Sequence, residues 1–236
     1  MLKLKKYIFL IILLIITVLF YNYGRSVWFP YYLKMKGKET IESRVESLKD
    51  KVYSNLIPEF NRIGLDDFPY EISILAFKEE RILEIYTKIK NKWELLKSYG
   101  YTNFSGELGP KLKEGDKQIP EGIYKIEYLN PNSVYYLSLK VSYPNEFDKQ
   151  KAQIEGRVKL GGDIFIHGKD LTVGCIPLGD DAIEEIFILA TQVQNKDINV
   201  IISPLDFRKN DNNPTIDFVD WEEELYDLIK AELKNY

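Results

Sequence analysis

Residues 161–178 read G-G-D-I-F-I-H-G-K-D-L-T-V-G-C-I-P-L and contain the only histidine and the only cysteine of the chain. The apolar run at 164–166 predicts a short buried strand that ends at His167. Two glycines interrupt the segment between this histidine and Cys175, which follows eight positions later. This short stretch combines a strand, a glycine-rich turn and two reactive side chains. The combination predicts a functional site at the end of the strand.

The chemistry of this pair follows from the protonation of the thiol. A thiol attacks only as the thiolate, and a free thiol with a pKa of about 8.5 is mostly protonated at neutral pH. His167 is therefore a candidate general base and Cys175 a candidate nucleophile. Gly174 lets the backbone approach a bound carbonyl, so the N–H groups of Gly174 and Cys175 are candidate oxyanion donors. The competing interpretation is a buried structural cysteine beside a hydrogen-bonded structural histidine.

Composition and charge exclude several classes of protein. One cysteine in 236 residues rules out an intramolecular disulfide, and a metal site is disfavoured because no second His or Cys exists. We expect no cofactor. The first 38 residues carry seven Lys or Arg and no acid, which leaves 25 basic against 36 acidic residues in the remainder. The remainder of the chain is therefore acidic and shows no evident cluster of basic residues, which argues against a nucleic-acid partner.

The N-terminal segment predicts a membrane anchor. Residues 7–23 are apolar apart from Thr17 and Asn22, and a spanning helix needs about 20 such residues. A cleavable signal peptide is the competing interpretation, but no small-x-small cleavage site or lipobox cysteine follows the run. We therefore predict a short cytoplasmic tail at 1–6, an anchor at 7–23 and an interfacial aromatic belt just after it.

The rest of the chain predicts a strand-rich α+β domain. An amphipathic helix is expected at 40–62, within a juxtamembrane segment at 24–68. Strand patterns and closely spaced turn signals then follow in the predicted domain, 69–236. Strands are expected at 70–77, 82–86, 123–128, 134–143, 164–166 and 199–202, with 93–99 as a strand or a short helix. Helices are expected at 147–154, from a capping box at Asp181 and Glu184 to about residue 194, and at 218–234.

Several sequence blocks resemble the YkuD-type L,D-transpeptidase catalytic domain, and within that family its YafK-like branch. The resemblance rests first on G-G-D-I-F-I-H-G at 161–168 and T-V-G-C-I-P-L at 172–178. It covers about 70–203 and includes four upstream blocks: G-E-L-G-P-K at 106–111, E-G-D at 114–116, P-E-G-I-Y at 120–124 and L-S-L-x-x-S-Y-P-N at 137–145.

The resemblance implies a cysteine enzyme of the bacterial envelope that acts on peptidoglycan stem peptides. By the family pattern Cys175 is the nucleophile, His167 the general base, and the backbone carbonyl of Gly168 orients the imidazole. The implied fold is a β-sandwich-like domain with mixed sheets and flanking helices. The implied location is the inner membrane, crossed once, with the catalytic domain in the periplasm or cell-wall space.

The chain also departs from the family pattern. The usual block carries a second histidine and an arginine where this sequence has Val173 and Pro177. The reaction therefore stays open between transpeptidation, including protein attachment, and hydrolysis as an L,D-carboxypeptidase or as an amidase that releases a wall-linked protein. A non-catalytic module that binds wall peptides or scaffolds a complex is the alternative from another class. A redox thiol ranks third because a resolving cysteine is lacking.

Weaker candidates surround the main pair. Ser142 and Tyr143, in a strand that ends at a proline, are candidate residues of a substrate groove, with ordinary sheet surface as the competing interpretation. Asp163 is a candidate to bond backbone near His167 or to cap a turn. Two lysines in the glycine-rich loops, at 111 and 117, are candidates to meet a substrate carboxylate, against the simpler interpretation of solvated loop charge.

Overall fold

The computed structural model describes residues 2–216 and 218–236, so Met1 of the predicted tail and Asp217 lie outside the described residues. The chain divides after Thr40 into two compact units. In the first unit, helix α1 spans Leu2–Tyr23 and helix α2 spans Arg25–Lys36. Leu4–Tyr23 is long and apolar enough to cross a membrane, a property that an N-terminal signal sequence shares.

The predicted aromatic belt lies on α2. The Trp28 ring stacks on Tyr21 with ring centroids 5.2 Å apart, and its indole N–H donates to the Tyr21 carbonyl at 3.1 Å. These contacts join the end of α1 to the start of α2 within the first unit.

Four helices and eight strands lie among the described residues of the second unit. Its helices are α3 (Ile41–Ile63), α4 (Glu146–Ile154), α5 (Asp180–Gln192) and α6 (Glu222–Leu233). Its strands are β1 (Ile72–Phe77), β2 (Ile82–Ile89), β3 (Lys92–Gly100), β4 (Gly122–Ser133), β5 (Tyr136–Val141), β6 (Phe165–His167), β7 (Ile176–Pro177) and β8 (Asn199–Ser203). The predicted α+β class is confirmed, and the segment at 93–99 is a strand.

The strands form one mixed sheet in the order β3-β2-β1-β8-β4-β5-β6-β7. The β1–β8 and β6–β7 pairs are parallel, and the other neighbours are antiparallel. The long strand β4 joins the two halves, because its first residues pair with β8 and its later residues pair with β5. The catalytic candidates therefore lie at the β6–β7 end of the sheet.

Two apolar cores cover the two faces of the central strands. In β1, Ile72, Ile74 and Ala76 join a core that also holds residues of α3 and α5, whereas Leu75 and Phe77 join a second core with α6. A strand covered on both faces is apolar at nearly every position, which is why Ser73 is the one polar residue of β1. The amphipathic helix α3 contributes Val52, Leu56 and Phe60 to the first core, so the compact unit begins at Ile41 rather than at the first strand.

The predicted capping box of α5 is wrong. The helix begins at Asp180 after Gly179, whose φ is 79°, and no side chain caps it. The carboxylates of Asp181 and Glu184 instead accept hydrogen bonds from Lys51 of α3, at 3.0 and 2.6 Å. The side chains of Asp181 and Glu184, which the spacing predicted to cap α5, therefore bind α3 instead. The last helix also begins at Glu222, later than the predicted position near 218.

Helix α4 begins with a capping box whose acidic member is buried. Asp148 accepts from the Asn145 backbone N–H at 2.9 Å, and the Asn145 side chain accepts from the Asp148 N–H. Burial raises the pKa of Asp148 to about 6, although the bond from Asn145 and a bond from the Tyr124 hydroxyl lower it in part. The corresponding unfolded carboxyl has a pKa of about 3.9.

This shift predicts a pH-dependent effect of Asp148→Asn. The folded state holds the Asp148 proton more tightly than the unfolded state, so its stabilisation is complete below about pH 4 and is lost as the pH rises through about 6. We expect the difference in unfolding free energy between variant and wild type to move by about 2 kcal/mol in favour of the variant from pH 4 to pH 7. Urea unfolding at both pH values measures it. The exposed Glu146→Gln on the same helix is the control, and equal differences at both pH values would refute the expectation.

Candidate active site

Strands β6 and β7 place His167 and the residue after Cys175 on neighbouring parallel strands. Ile166 pairs with Ile176 and His167 pairs with Pro177, and the Leu178 N–H donates to the His167 carbonyl at 2.9 Å. Cys175 precedes β7, so the parallel register brings it beside the beginning of β6. The eight-residue separation in sequence becomes an offset of two positions across neighbouring strands, because the turn at 168–175 folds back so that β7 runs parallel to β6.

The His167 side chain is completely buried and held at one ring nitrogen. Its Nδ1 lies 2.6 Å from the Gly168 carbonyl oxygen. A carbonyl only accepts, so this contact selects the tautomer with the proton on Nδ1 and leaves Nε2 with its lone pair. Nε2 is buried and has no hydrogen-bond partner among the described residues. Burial lowers the pKa of the imidazole, with the Gly168 bond acting in the opposite direction, so His167 is neutral at pH 7.

The thiol of Cys175 is held in its neutral form. Desolvation raises the pKa of the Cys175 thiol, and this effect exceeds the opposing influence of the Phe165 backbone N–H and the Lys140 ammonium. Sγ lies 3.6 Å from the Asp163 carbonyl oxygen. The resting site therefore contains a neutral thiol and a neutral imidazole, so proton transfer must accompany attack.

A predicted consequence is the pH dependence of Cys175 alkylation. Because the thiol pKa is raised, we expect the rate of alkylation by iodoacetamide to rise about tenfold per pH unit from pH 7 to 8.5, as the thiolate fraction does. Mass spectrometry of the intact chain measures the alkylated fraction of Cys175 directly, because Cys175 is the only cysteine. N-acetylcysteine is the reference. A plateau below pH 7 would reveal a preformed thiolate–imidazolium pair and contradict the expectation.

The turn before β7 is fixed by two hydroxyl groups. The Thr172 hydroxyl accepts from the Cys175 N–H at 3.0 Å and donates to the Cys175 carbonyl at 2.7 Å. The Gly174 N–H donates to Ser105 Oγ at 2.7 Å. Both N–H groups that the sequence offered as oxyanion donors are thus engaged with side chains, so an oxyanion would have to replace these hydroxyls. Their role in oxyanion binding stays a prediction.

The two glycines of the segment are required for different reasons. Gly174 has φ of 103°, and a Cβ there would lie 2.9 Å from the Gln118 carbonyl oxygen. Gly168 has an ordinary φ, but a Cβ would lie 2.8 Å from both an Asp180 carboxylate oxygen and the Tyr135 carbonyl oxygen. The carbonyl that orients His167 therefore comes from a residue that has no room for a side chain.

Two of the weaker candidates, Ser142 and Tyr143, bond to other parts of the domain. Tyr143 is buried, and its hydroxyl donates to the carbonyls of Lys111 and Leu160. Ser142 Oγ accepts from the Lys125 N–H at 2.9 Å and links the ends of β4 and β5. Their role in a substrate groove stays a prediction.

The charged candidates Lys111, Lys117 and Asp163 have different surroundings. Lys111 is buried and pairs with Asp116 at 2.5 Å, so it stabilises its own loop, whereas Lys117 is exposed. Asp163 is bound by Lys140 Nζ at 2.9 Å through its side chain, and its carbonyl oxygen faces Cys175 Sγ.

Sequence reasoning missed two side chains at the site. The Tyr135 ring stacks on the His167 ring with centroids 4.6 Å apart, and Ser105 binds the Gly174 N–H. Both come from segments more than thirty residues before the residue that they contact. An aromatic residue at a hairpin turn and a serine before a glycine-rich loop gave no local signal of these contacts.

Residues 71–202 match the YkuD family, the L,D-transpeptidase catalytic domain, and the chain belongs to this family. It is 37% identical over 122 residues to a protein of Escherichia coli K12 whose name is Putative L,D-transpeptidase YafK. That match covers 51% of this chain and 47% of YafK, so it spans about half the length of the relative. His167 and Cys175 both lie within the family match.

The solved structures to which this chain is similar include two from bacteria. The helical cell shape determining protein Pgp2 of Campylobacter jejuni is 21% identical, with a TM-score of 0.46 over 75% of this chain and 76% of that chain. Bd1075 of Bdellovibrio bacteriovorus is 23% identical, with a TM-score of 0.42 over 71% of this chain and 55% of that chain.

Proposed function

We propose that this chain is a cell-envelope cysteine acyltransferase that acts on peptidoglycan stem peptides. One observation carries the proposal: the His167 imidazole is oriented through Nδ1 by the Gly168 carbonyl, and its Nε2 has no partner in the described part of the chain, on the strand beside the one that the single thiol precedes. Membership in the L,D-transpeptidase family supports the substrate class.

The first half-reaction transfers an acyl group to sulfur. Nε2 of His167 takes the thiol proton as Sγ attacks the carbonyl carbon of a diaminopimelate–D-alanine bond. The C–N bond then breaks, and the departing D-alanine amine takes the proton back from the imidazolium. The products are D-alanine and a thioester on Cys175.

The second half-reaction depends on what attacks the thioester. An amine from another stem peptide or a protein gives transpeptidation, with His167 accepting the amine proton and returning it to sulfur. Water gives hydrolysis, and the net result is an L,D-carboxypeptidase. If the first leaving amine belongs to an attached protein, water completes an amidase reaction. This chain has Val173 and Pro177 where the family usually has a histidine and an arginine. Because of this difference, hydrolysis stays a candidate reaction together with cross-linking.

The proposed location is the inner membrane, with the second unit in the periplasm or cell-wall space. The apolar helix at Leu4–Tyr23 supports an anchor. Protease treatment of spheroplasts checks this: we expect the second unit to be degraded without lysis, and protection until lysis would contradict the assigned side of the membrane.

Muropeptide analysis of sacculi tests the function. Sacculi are incubated with the full chain in detergent, with Cys175→Ala, and with Ser47→Ala, which changes an exposed serine of α3, as a matched variant outside the site. We expect the wild type and Ser47→Ala to change the muropeptides and Cys175→Ala to leave them unchanged. New cross-links indicate an amine acceptor, free D-alanine without cross-links indicates carboxypeptidase activity, and released protein indicates an amidase.

The non-catalytic alternative has a distinct outcome in the same samples. A wall-binding module would bind sacculi equally as wild type and as Cys175→Ala, with no product and no acyl adduct. Intact mass after incubation with a carbapenem gives a second measurement, because an acyl adduct on the sole cysteine is expected only for the reactive thiol.

A further inference from the structure

Tyr135 is the one aromatic residue whose ring stacks on the His167 imidazole among the described contacts. The ring centroids lie 4.6 Å apart and the planes are inclined by 26°. This separation is typical of offset stacking between planar rings. Tyr135 belongs to the turn between β4 and β5, far from His167 in sequence, so the contact exists only in the folded chain.

The backbone of Tyr135 is held from both sides. Its N–H donates to Ser133 Oγ at 3.1 Å, and the turn is closed where Ser133 pairs with Tyr136. Tyr136 adopts φ of 80°, and its hydroxyl donates to a Glu184 carboxylate oxygen of α5 at 2.6 Å. A non-glycine residue in this conformation persists where surrounding contacts determine it. The turn is therefore a fixed support for the Tyr135 ring.

The stack supplies a restraint that the hydrogen bond of His167 lacks. The bond from Nδ1 to the Gly168 carbonyl fixes one ring atom, but it leaves the ring plane free to tilt about that contact. A second ring lying on one face removes this freedom. It also keeps water from that face of an imidazole whose Nε2 is buried without a partner among the described residues.

We propose that Tyr135 is a positioning residue of the active site, which holds the His167 imidazole so that Nε2 faces the reacting thiol. The proposal deepens the acyl-transfer function and rests on it for its effect on rate. The aromatic face acts through stacking, so phenylalanine retains the effect and an aliphatic side chain of similar size loses it.

NMR of the single histidine tests the geometry without a substrate. The full chain in detergent micelles, labelled with ¹⁵N only at histidine, gives one imidazole spin system because the chain has one histidine. We expect the wild type and Tyr135→Phe to show the Nδ1–H tautomer, ring-current-shifted ring protons and a pKa below about 6.5. In Tyr135→Leu we expect the ring-current shift to disappear, the tautomers to mix and the imidazole pKa to rise toward about 6.5.

A kinetic measurement separates positioning from folding. With carbapenem as probe, Tyr135→Leu is expected to lower the maximal acylation rate of Cys175 about tenfold with unchanged half-saturation, and Tyr135→Phe to stay within about twofold of wild type. Tyr128→Leu is the matched control, because Tyr128 contacts Phe165 of the same strand and not His167. If Tyr135→Leu fails to fold, Tyr135→Met replaces it in both measurements.

Two results would overturn the proposal. One is a folded leucine or methionine variant with unchanged imidazole shifts, tautomer and pKa. The other is a phenylalanine variant as impaired as leucine, which would assign the effect to the hydroxyl group. Failure of the proposed function looks different: the wild type itself would form no acyl adduct, while its NMR spectra would still report whether the imidazole is held by Tyr135.

Discussion

Replacing His167 by glutamine is expected to lower the rate of Cys175 acylation at pH 7 by about 10²- to 10⁴-fold, the range that positioned acid–base groups contribute. Burial raises the pKa of the Cys175 thiol, so the thiolate fraction at neutral pH is small without a base. Burial also lowers the pKa of His167, which makes the imidazole neutral and able to accept the proton. A glutamine amide is similar in size to the imidazole but cannot take a proton from the thiol.

The pH dependence distinguishes loss of a base from loss of structure. The deficit of His167→Gln is expected to shrink above about pH 9, where hydroxide ionises the thiol directly. Stopped-flow acylation by a carbapenem, measured from pH 6 to 10, gives the rates of the wild type and of His167→Gln, with Ser47→Ala as the control. A deficit below about threefold at pH 7 would remove His167 from the role of general base.

Replacing Lys78 by methionine is expected to destabilise the second unit by about 3–5 kcal/mol, because it leaves a buried carboxylate without its cation. The side chains of Lys78 and Glu121 are both fully buried, and Nζ lies 2.8 Å from Glu121 Oε1. Nζ also donates to the carbonyls of Gly109 and Ile119 at 2.7 and 3.0 Å. Burial lowers the pKa of Lys78, and the charge of Glu121 opposes this shift.

The effect should extend to the active site. Glu121 further accepts from the Gly109 N–H and from the Tyr226 hydroxyl, so the pair ties both ends of the loop at 109–121 to β1 and α6. Gln118 of this loop lies against Gly174, the residue before the thiol. We therefore expect Lys78→Met also to increase hydrogen exchange at 109–121.

Two further variants test whether the loss of stability in Lys78→Met comes from the unpaired buried charge. Lys88→Met removes a partly exposed lysine at 3.7 Å from Glu71, so it should cost less than about 1 kcal/mol. The double variant Lys78→Met with Glu121→Leu should recover at least half of the loss, because no buried charge then remains unpaired. Urea unfolding of the full chain in detergent measures all three variants. A loss below about 1.5 kcal/mol for Lys78→Met would show that the pair contributes little.

Local patterns predicted most of the elements correctly. The period of apolar residues predicts α3 and α4 within a residue or two, and the β1–β2 hairpin follows from two apolar runs around a charged turn. These predictions succeed because helices and hairpins are built from residues close together in sequence. The capping box of α5 failed because Lys51, from α3, competes for the same carboxylates.

The residues of the candidate site likewise differ in whether local sequence could identify them. His167, Gly168, Gly174 and Cys175 were identifiable because they lie in one segment with a distinctive composition. Tyr135 was missed because its partner is on another strand. The burial of Tyr143 likewise depends on distant loops, at 111 and 160.

The sequence by itself determined the α+β class, the apolar N-terminal helix and the presence of one thiol and one imidazole in a strand–turn segment. Only the tertiary structure decided the protonation state of that pair, the engagement of the two N–H groups by Ser105 and Thr172, and the stack of Tyr135 on His167. The physical reason is that desolvation and stacking depend on atoms brought together from distant segments. Residue type and spacing specify which groups are present, whereas burial specifies which of them carry a proton.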